Sequence, residues 1–379
     1  MPWPTKKLGE CLVQFNRGIS WSRKDEGGTI AVLRIPNIQE GHINLNDLKY
    51  IDTKSKNGEL EKDDIVMVAS NGNPDLVGRS ALVTEKEEGM RFASFLVRLR
   101  FDNRKLLPQY AHLFLLTPTF KRELRRKIAT TSGIYNLRKQ HIEKIKLQLP
   151  PLKMQKRIVE RLDKIVEAQK LNGGLIQKTE ELFQSLLHEE LNPVDKNWEV
   201  KKLGDVAEVI MGQSPPSSSY NERGEGLPFF QGKAEFGETY PIPIKYCSSP
   251  SRIAVVNDIL ISVRAPVGNI NIAKEKSCVG RGLGALRAKK NILNQMFLFY
   301  FMKKNENNWS RLSTGSTFSA IKGSSLKNFE IPLPLLKIQK KIAAKLSAVQ
   351  EYKKQLLEQK SKLKELFDSV LAKSLRGDL

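Results

Sequence analysis

The sequence of 379 residues has few of the side chains that build disulfide frameworks or metal centres. Its cysteines are isolated and odd in number: Cys11, Cys247 and Cys278. Its histidines lack the spacing of a metal-binding motif: His42, His112, His141 and His188. We therefore expect neither a structural zinc site nor disulfides, and we expect a reducing, cytoplasmic compartment.

Long apolar runs are also absent. A membrane-spanning helix needs ~20 predominantly apolar residues, and no stretch of this sequence approaches that composition. The segment Met1–Lys7 lacks the apolar core of a signal peptide. The sequence therefore predicts neither a membrane-spanning helix nor a signal peptide, and a membrane is not the predicted partner.

Motifs of the common nucleic-acid enzymes are missing as well. There is no Asn-Pro-Pro-aromatic or Asp-Pro-Pro-aromatic tetrapeptide, no glycine-rich methyl-donor loop after a clear strand and no Gly-x-x-x-x-Gly-Lys-Ser/Thr. Asn192-Pro193 reads as a helix stop, and Arg281–Gly284 is too short to cradle phosphates. The aromatic residues form no spaced stacking platform, which argues against single-strand binding. No catalytic, cofactor-binding or metal-binding residue is predicted.

What the chain has in excess is positive charge. Lysine and arginine number 63 against 41 aspartate and glutamate, which gives a formal net charge of +22. A polyanion is the natural partner of such a protein, and nucleic acid is the commonest soluble one. Two alternatives are weaker: the charge only keeps the protein soluble, or it attracts the protein to a membrane surface.

The chain also contains an internal repeat. Pro150–Ile158 returns 184 residues later as Pro334–Ile342, and Glu181–Leu187 matches Glu365–Leu371 at the same offset. The two halves also start alike, at an offset of 195: Trp3 and Lys6–Glu10 match Trp198 and Lys201–Asp205. A duplicated chain tends to fold with approximate two-fold symmetry, which suits a target made of two parts.

Each half begins with a mixed α/β segment. Short β-rich runs alternate with turns at Ile30–Ile35, Asp64–Val68 and Phe92–Val97, then at Ile253–Val256 and Asp258–Val263. Helices are predicted at Tyr110–Leu116, Phe120–Ile128 and Gln295–Lys303. The chain thus divides into mixed segments at 1–150 and 193–334 and helical segments at 151–192 and 335–379.

The helical segments predict two long helices, from about Lys153 to Leu191 and from about Lys337 to Arg376. Pro150 and Pro151 stand where a helix can begin, and Gly377 is placed to cap the second helix. Each helix would be ~60 Å long at 1.5 Å per residue. Gly173-Gly174 marks a place where the first could break or kink.

An apolar seam with steps of four and three residues, in identical register, predicts coiled-coil packing of these helices. The first seam is Ile158, Leu162, Ile165, Gln169, Asn172, Ile176, Thr179, Phe183 and Leu186. The second is Ile342, Leu346, Val349, Lys353, Leu356, Lys360, Leu363, Phe367 and Val370. The polar positions would fix register or orientation, and the two lysines could carry their charge out to water. We expect the helices to pack antiparallel on each other; the alternative is that each packs only on its own domain.

These features resemble the specificity subunit of type I restriction-modification systems over essentially the whole chain. Both helices begin with a proline-leucine-glutamine pattern similar to that family's: Leu149–Leu152 with Gln155 and Ile158, and Ile331–Leu335 with Gln339 and Ile342. Parts of the first mixed segment are similar to one common type of target-recognition domain: Val32–Ile38, Leu60–Ile65 and Val77–Ala81. Parts of the second are similar to another: Gly212–Pro215, Pro228–Phe230, Asp258–Ser262 and Gly268.

The resemblance implies an α+β protein. Two mixed α/β target-recognition domains would be separated by two long antiparallel coiled-coil helices, with a pseudo-two-fold internal repeat. It implies a non-catalytic subunit in which each domain reads one half of a bipartite double-stranded DNA site. The helices would set the unread spacer and dock DNA adenine methyltransferase subunits, which use S-adenosylmethionine. ATP-dependent restriction subunits would complete the complex.

Loops of the mixed segments supply candidate DNA contacts, because polar side chains there can reach base edges while lysine and arginine neutralise phosphates. In the first segment they are Ser70, Asn71, Asn73 and Arg79, followed by Thr130, Thr131, Ser132 and Tyr135. In the second they are Gln213, Ser214, Lys233, Arg264, Ser316 and Thr317. Candidate phosphate contacts, for which a solvated helix face is the alternative, are Arg104, Lys105, Lys121, Arg122, Arg125, Arg126 and Lys127.

Two other functions remain open on the sequence. A stand-alone nuclease or methyltransferase with internal duplication predicts activity of the purified chain, and the missing motifs argue against it. A scaffold that binds nucleic acid without sequence preference predicts an affinity that falls with salt equally for all sequences. A sequence-specific reader predicts a component that resists competition, typically ~10³-fold or more over random DNA.

Overall fold

A computed structural model gives the fold and describes residues 3–22, 26–39, 41–53, 58–128, 133–194, 196–312 and 320–378. The chain divides into two compact units. The first unit comprises Met1–Leu171 and Lys360–Leu379, and the second unit comprises Asn172–Gln359.

The first unit is a mixture of short strands and short helices. Its strands are β1 (Thr5–Lys7), β2 (Leu12–Arg17), β3 (Glu26–Leu33), β4 (Lys49–Ile51), β5 (Ile65–Val68), β6 (Ser70–Asn71), β7 (Ser80–Leu82), β8 (Arg91–Phe92), β9 (Leu96–Phe101), β10 (Tyr135–Asn136) and β11 (Lys146–Gln148). Its short helices are α1 (Pro108–Leu115), α2 (Pro118–Lys127) and α3 (Lys139–Glu143). The two helices predicted in this part of the sequence are confirmed as α1 and α2.

The strands form two main sheets. An antiparallel sheet has the order β2-β9-β5-β7, and a second sheet has the order β4-β3-β8, in which β3 and β8 are parallel. Two small ladders pair β1 with β11 and β6 with β10. The ladder of β1 and β11 joins the start of the mixed segment to its end.

Strand β5 is apolar throughout because both of its faces are buried. Ile65 and Met67 belong to the core that includes α1, whereas Val66 and Val68 belong to a second core that includes residues of β3 and β8. The period of two along a strand sends alternate side chains to opposite faces. The strand therefore ties the helical layer to the second sheet.

A long helix, α4 (Leu152–Glu190), follows β11. It starts and ends within about one residue of the predicted bounds, and it runs without a break through Gly173 and Gly174. Its residues up to Leu171 belong to the first unit and those from Asn172 onward to the second.

The second unit repeats the architecture of the first. Its strands are β12 (Glu199–Lys202), β13 (Ala207–Met211), β14 (Tyr220–Asn221), β15 (Leu227–Phe230), β16 (Lys245–Cys247), β17 (Ile253–Ala254), β18 (Ile259–Ser262), β19 (Ile270–Ile272), β20 (Ser277–Val279), β21 (Leu283–Ala288) and β22 (Glu330–Leu333). Its short helices are α5 (Leu203–Val206), α6 (Gln295–Lys304) and α7 (Gly323–Lys327). Helix α6 confirms the prediction at Gln295–Lys303.

The strand orders of the two units correspond. The antiparallel sheet β13-β21-β18-β19 matches β2-β9-β5-β7. The five-stranded sheet β14-β16-β15-β20-β17 contains a parallel pair, β15 with β20, in the place of β3 with β8. A ladder of β12 with β22 again joins the start of the unit's mixed segment to its end. The internal repeat of the sequence is thus a repeat of fold.

The last helix is α8 (Leu336–Arg376), whose bounds match the prediction. Gly377 follows it with a φ of 82°, and the Asp378 amide donates to the Lys373 carbonyl at 3.1 Å. This left-handed glycine and six-residue hydrogen bond are a Schellman cap, which satisfies carbonyls that the helix leaves free.

The two long helices pack antiparallel within each unit. In the first unit Gln169 Nε2 donates to the Leu363 carbonyl at 3.2 Å, and Leu371 shares a core with Ile158 and Leu162. In the second unit Asn172 Nδ2 donates to Gln359 Oε1 at 3.0 Å. The predicted antiparallel seam is therefore confirmed.

One seam residue differs from its expected role. Lys353 was expected to carry its charge out to water, but its side chain is only 19% exposed and pairs with Glu180 Oε2 at 2.9 Å and Glu238 Oε1 at 3.0 Å. Burial lowers the pKa of Lys353, but the interactions with Glu180 and Glu238 together outweigh it and raise the pKa above its usual value. Through these two ion pairs, Lys353 connects the two long helices to the loop that carries Glu238. Lys360, by contrast, is exposed as expected.

Candidate nucleic-acid interface

In the first unit, the end of strand β5 is bonded to the loop that precedes β9. The Ala69 amide donates to the Phe95 carbonyl at 2.8 Å, and the Gly18 amide, just after β2, donates to the Leu96 carbonyl at 3.2 Å. We call this arrangement of three chain segments the loop frame of the first unit.

The second unit has an equivalent loop frame. The Val263 amide, just after β18, donates to the Gly282 carbonyl at 2.8 Å, and the Gly212 amide, just after β13, donates to the Leu283 carbonyl at 2.9 Å. The loops that precede β9 and β21 therefore occupy equivalent positions. Arg281 is the equivalent of Ser94, and Gly282 is the equivalent of Phe95.

Glycine is required where the segments of each loop frame cross. A Cβ atom on Gly18 would lie 2.0 Å from the carbonyl oxygen of Phe92, and one on Gly212 would lie 2.1 Å from the carbonyl oxygen of Gly280. Real Cβ atoms do not approach backbone so closely. Both frames are therefore fixed by close backbone contact.

A buried aspartate stands at the base of each central strand. Asp64 is fully buried and accepts hydrogen bonds from Arg100 at 2.6 and 2.9 Å. Asp258 is 1% exposed and accepts from Arg287 at 2.9 and 2.8 Å. These bidentate bonds raise the pKa of both arginines, and they hold the strands below the loops in the same way.

The structure brings three of the first-unit candidates together. Ser70 and Asn71 form β6, and Tyr135 faces Asn71 across the ladder with β10. Asn73 lies on the exposed loop that follows, where Asn71 Oδ1 accepts from its amide at 2.8 Å. Asn73 Oδ1 in turn accepts from the Asp75 amide at 2.9 Å. The remaining candidates here, Thr130, Thr131 and Ser132, lie outside the described residues.

Arg79 belongs to a different surface, a groove of about 710 Å³ between its loop and helix α2. Among the described residues, the basic side chains that line this groove are Arg79, Lys121, Arg122, Arg125 and Arg126. Partial burial lowers the pKa of Lys121. We call this surface the basic groove.

The candidate phosphate contacts divide accordingly. Four of the seven line the basic groove, where Arg125 pairs with Asp75 at 2.8 Å. Arg104 and Lys105 lie outside it and pair with Asp102 at 3.0 and 3.7 Å. Lys127 pairs with Glu123 on its own helix at 3.8 Å.

In the second unit three candidates line one polar pocket of about 230 Å³ beside the loop frame: Ser214, Lys233 and Arg264. Gln231 and Arg281 line it as well. We call it the arginine pocket. Gln213 is exposed next to it, with its amide bonded to the Val279 carbonyl at 2.9 Å. Ser316 and Thr317 lie outside the described residues.

Four exposed residues in or beside the two frames were not among the predicted DNA contacts. Arg281 and Gln231 line the arginine pocket. In the first unit Phe95 is 58% exposed, and Arg17 donates to the Ser94 carbonyl at 3.2 Å and to Asn136 Oδ1 at 3.3 Å. The glycines around Arg281 were a usable signal, because they mark a tightly packed loop.

Within the described part of the chain, no cluster of histidine, cysteine, aspartate and glutamate is suited to hold a metal ion. No helix there is long and apolar enough to cross a membrane. The three cysteines are buried and unbridged, and burial together with the neighbouring Cys247 raises the pKa of Cys278 to about 12.

Comparisons with known proteins agree with this architecture. Residues 2–181 and 195–365 each match the type I restriction modification DNA specificity domain. A protein of Methanocaldococcus jannaschii described as the type I restriction enzyme MjaX specificity subunit is 32% identical over 398 residues, 98% of this chain and 91% of that protein. The chain belongs to the type I restriction-modification DNA specificity family.

Solved structures show the same likeness over the full length. A chain from a study of complex assembly and conformational transition of the type I R-M system is 29% identical, with a TM-score of 0.66 and coverage of 100% of this chain and 98% of that one. The HsdS subunit of Thermoanaerobacter tengcongensis is 28% identical, with a TM-score of 0.56 and coverage of 100% and 97%. The α+β class, the duplicated domains and the long helices are those of this family.

Proposed function

We propose that this protein is the DNA sequence-recognition subunit of a type I restriction-modification complex. The mixed segments at 1–150 and 193–334 each read one half of a bipartite double-stranded site. The helical segments at 151–192 and 335–379 set the unread spacer and dock DNA adenine methyltransferase subunits, and ATP-dependent restriction subunits join for cleavage. The chain itself carries out no catalysis.

The observation that carries this proposal is one loop frame present twice with different side chains on it. A reader of two different half-sites needs the same support in both units and different chemistry on each. Polar loops beside a sheet can reach base edges, and the basic groove can neutralise backbone phosphates. The formal charge of +22 agrees with a polyanionic partner.

The direct test is base-resolution mapping of adenine methylation in a host without its own methylation. The host would express this chain with the methyltransferase encoded beside it, and a matched strain would express the methyltransferase alone. A single bipartite motif that requires this chain is the expected result. Soluble, co-purifying proteins that produce no new motif would contradict the proposal.

Binding can separate a specific reader from a non-specific scaffold. The purified complex would be titrated with a duplex carrying the mapped motif and with a scrambled duplex, over a range of salt concentrations. A reader retains a preference of ~10³-fold or more for the motif at physiological salt. A scaffold loses affinity for both duplexes in parallel.

The spacer can be tested through the helices. Seven residues inserted after Gly174, with seven inserted after Glu358 on the opposite helix, lengthen the pair by about 10 Å and keep the seam in register. Since DNA rises 3.4 Å per base pair, the spacer should grow by about three base pairs while both half-sites stay the same. Altered half-sites with an unchanged spacer would contradict this part of the proposal.

A further inference from the structure

The arginine pocket is lined by three cations and, among its lining residues, no carboxylate. The side chains of Lys233 and Arg264 make no hydrogen bond or ion pair with any described residue and are exposed. This differs from Arg287 in the same unit, which is bonded to both Asp258 and Glu208. Among the described residues, none of the three cations pairs with a carboxylate; the nearby Glu235 accepts instead from the Gly232 amide at 3.0 Å.

Arg281 is held in this pocket by a neutral group. Its backbone amide and its Nε both lie within hydrogen-bond distance of Ser214 Oγ, at 3.3 and 3.4 Å. The two terminal nitrogens of the guanidinium make no bond to a described residue. A single hydroxyl thus orients the Arg281 side chain without neutralising its charge. The two terminal nitrogens of the guanidinium remain available to donate to two acceptors.

The loop that carries Arg281 is fixed on both sides. The Gly280 amide donates to the Phe230 carbonyl at 2.8 Å, and the Gly282 carbonyl accepts from the Val263 amide at 2.8 Å. A Cβ atom on Gly282 would lie 2.0 Å from the carbonyl oxygen of Gln231, so the two segments are in close contact. A guanidinium on such a loop is pre-organised, which is what discrimination between similar ligands requires.

The equivalent place in the first unit carries different chemistry. There the loop presents Ser94 and the exposed ring of Phe95. The guanidinium of the nearby Arg17 donates to the Ser94 carbonyl, to Asn136 Oδ1 and to the Leu137 carbonyl. A free arginine fork at this position is therefore particular to the second unit and is not required by the shared frame.

We propose that Arg281 reads a guanine in the half-site of the second unit, with its terminal nitrogens donating to O6 and N7 in the major groove. Bidentate pairing of arginine with these two acceptors is the commonest specific contact between proteins and DNA. Lys233 and Arg264 lie beside the fork and attract the flanking phosphates, and Ser214 is a positioning residue. This assignment rests on the proposed function of the whole chain.

The test begins with the motif written by the wild-type complex, which must contain a guanine in one half-site. Absence of any motif would refute the proposed function, whereas a motif with no G·C pair in either half-site would refute only the role of Arg281. The mutant Arg281→Gln is then mapped in the same host, with Arg223→Gln as a control. Arg223 is an exposed arginine of the same unit that pairs with Glu225 outside the pocket.

A role in base reading predicts that Arg281→Gln relaxes or changes one guanine position and leaves the other half-site intact, since glutamine pairs with adenine instead. The preference for guanine at that position should fall roughly 10- to 100-fold. Arg223→Gln should write the wild-type motif. A uniform loss of methylation without a change of motif would show a phosphate contact and overturn the proposal, as would an unchanged motif.

A modified base gives an independent readout. Replacing the guanine by 7-deazaguanine removes N7 and keeps the base pair, so wild-type affinity should fall roughly 10-fold. Arg281→Gln should be indifferent to the same replacement, because the interaction is already lost. Equal losses in both proteins would contradict the assignment. Normal elution and thermal stability of the mutant complex verify that it is folded.

Discussion

Gln155 and Gln339 make equivalent hydrogen bonds at the starts of the two long helices, and both side chains are fully buried. Gln155 Oε1 accepts from the Leu107 amide at 2.8 Å, and its Nε2 donates to the carbonyls of Lys105 and Pro150 at 3.0 and 2.8 Å. The partners of Gln339 are the Asn294 amide at 2.7 Å, the Ile292 carbonyl at 3.1 Å and the Pro334 carbonyl at 2.7 Å. Each glutamine thus fastens a helix to the loop before α1 or α6.

Replacement of these glutamines by methionine should be strongly destabilising. The mutation Gln155→Met keeps the side-chain volume but leaves one amide and two carbonyls without partners. Each buried polar group without a hydrogen bond reduces the free energy of unfolding by about 1–3 kcal/mol. We expect a loss of about 3 kcal/mol or more in the free energy of unfolding, measured by urea denaturation, and a similar loss for Gln339→Met. Gln177→Met, at an exposed site on the same helix, should change stability by less than about 0.5 kcal/mol. A small effect at Gln155 would mean that the loop re-forms its bonds elsewhere.

The glycine pair in α4 should be replaceable with a gain in stability. A Cβ atom on Gly173 or Gly174 meets nothing within 4 Å, and both residues lie inside a continuous helix. Alanine loses less backbone entropy than glycine in a helix, so each substitution should stabilise the protein by about 0.5–1 kcal/mol. Thermal unfolding of Gly173→Ala, Gly174→Ala and the double mutant measures this. A lower melting temperature would show that the pair serves a conformation in which the helix bends.

Acid should weaken the first unit through His112. This side chain is 7% exposed beside the Ser80 carbonyl, and burial lowers its pKa to about 4. The unfolded chain, with a histidine pKa of about 6.5, binds the proton more readily, so stability is full above pH 6.5 and falls as the pH decreases towards 4. We expect His112 to contribute a loss of about 2 kcal/mol between pH 7 and pH 5.

The mutation His112→Gln isolates this contribution because glutamine stays neutral and can still donate to the carbonyl. Hydrogen–deuterium exchange of the α1 amides, compared between mutant and wild type at each pH, is a local measure of stability. The mutant should be less sensitive to pH 5 than the wild type. Equal sensitivity of the two proteins would mean that other groups dominate acid unfolding.

Phe95 should influence only one half of the recognised site. Its ring is 58% exposed on the loop frame of the first unit, and its carbonyl accepts from the amide of Ser70, which precedes Asn71 in the ladder with Tyr135. The mutation Phe95→Ala should change base preference or affinity at one half-site and leave the other half unchanged, as read by methylation mapping. Phe95→Leu, which keeps an apolar contact, should have the smaller effect. Changes in both half-sites would contradict independent reading by the two units.

The order of domains and helices along this chain could be predicted because repeated motifs and periodic apolar residues mark them in the sequence. The matching segments at Pro150 and Pro334 and the seam from Ile158 to Leu186 indicated two helices, their bounds and their antiparallel pairing. Apolar runs such as Ile65–Val68 indicated buried strands. These signals are local or periodic, and burial of the apolar face determines the structure that results.

The candidate interface was harder to predict because its members are brought together by tertiary contacts. Arg281 comes close to Ser214 only after the β20–β21 loop packs on the segment that follows β13. Arg104 was predicted as a phosphate contact, with a solvated helix face as the alternative, and it pairs with Asp102 of its own turn. Charge and position in the sequence do not reveal whether a cation is already paired, so free and paired arginines were predicted alike.

Residues near the two described ends of the chain are bonded to each other in the first unit, where the Trp3 indole donates to the Ser374 carbonyl at 3.1 Å. A short peptide that joined Trp3 to Asp378 would make the described chain circular, with mixed and helical segments in alternation. A circular chain has no first or last segment. The order of the segments in a gene would then depend only on the position at which the circle is opened. A chain opened instead at the exposed turn after α4, with its old ends joined, should fold to the same units and write the same motif.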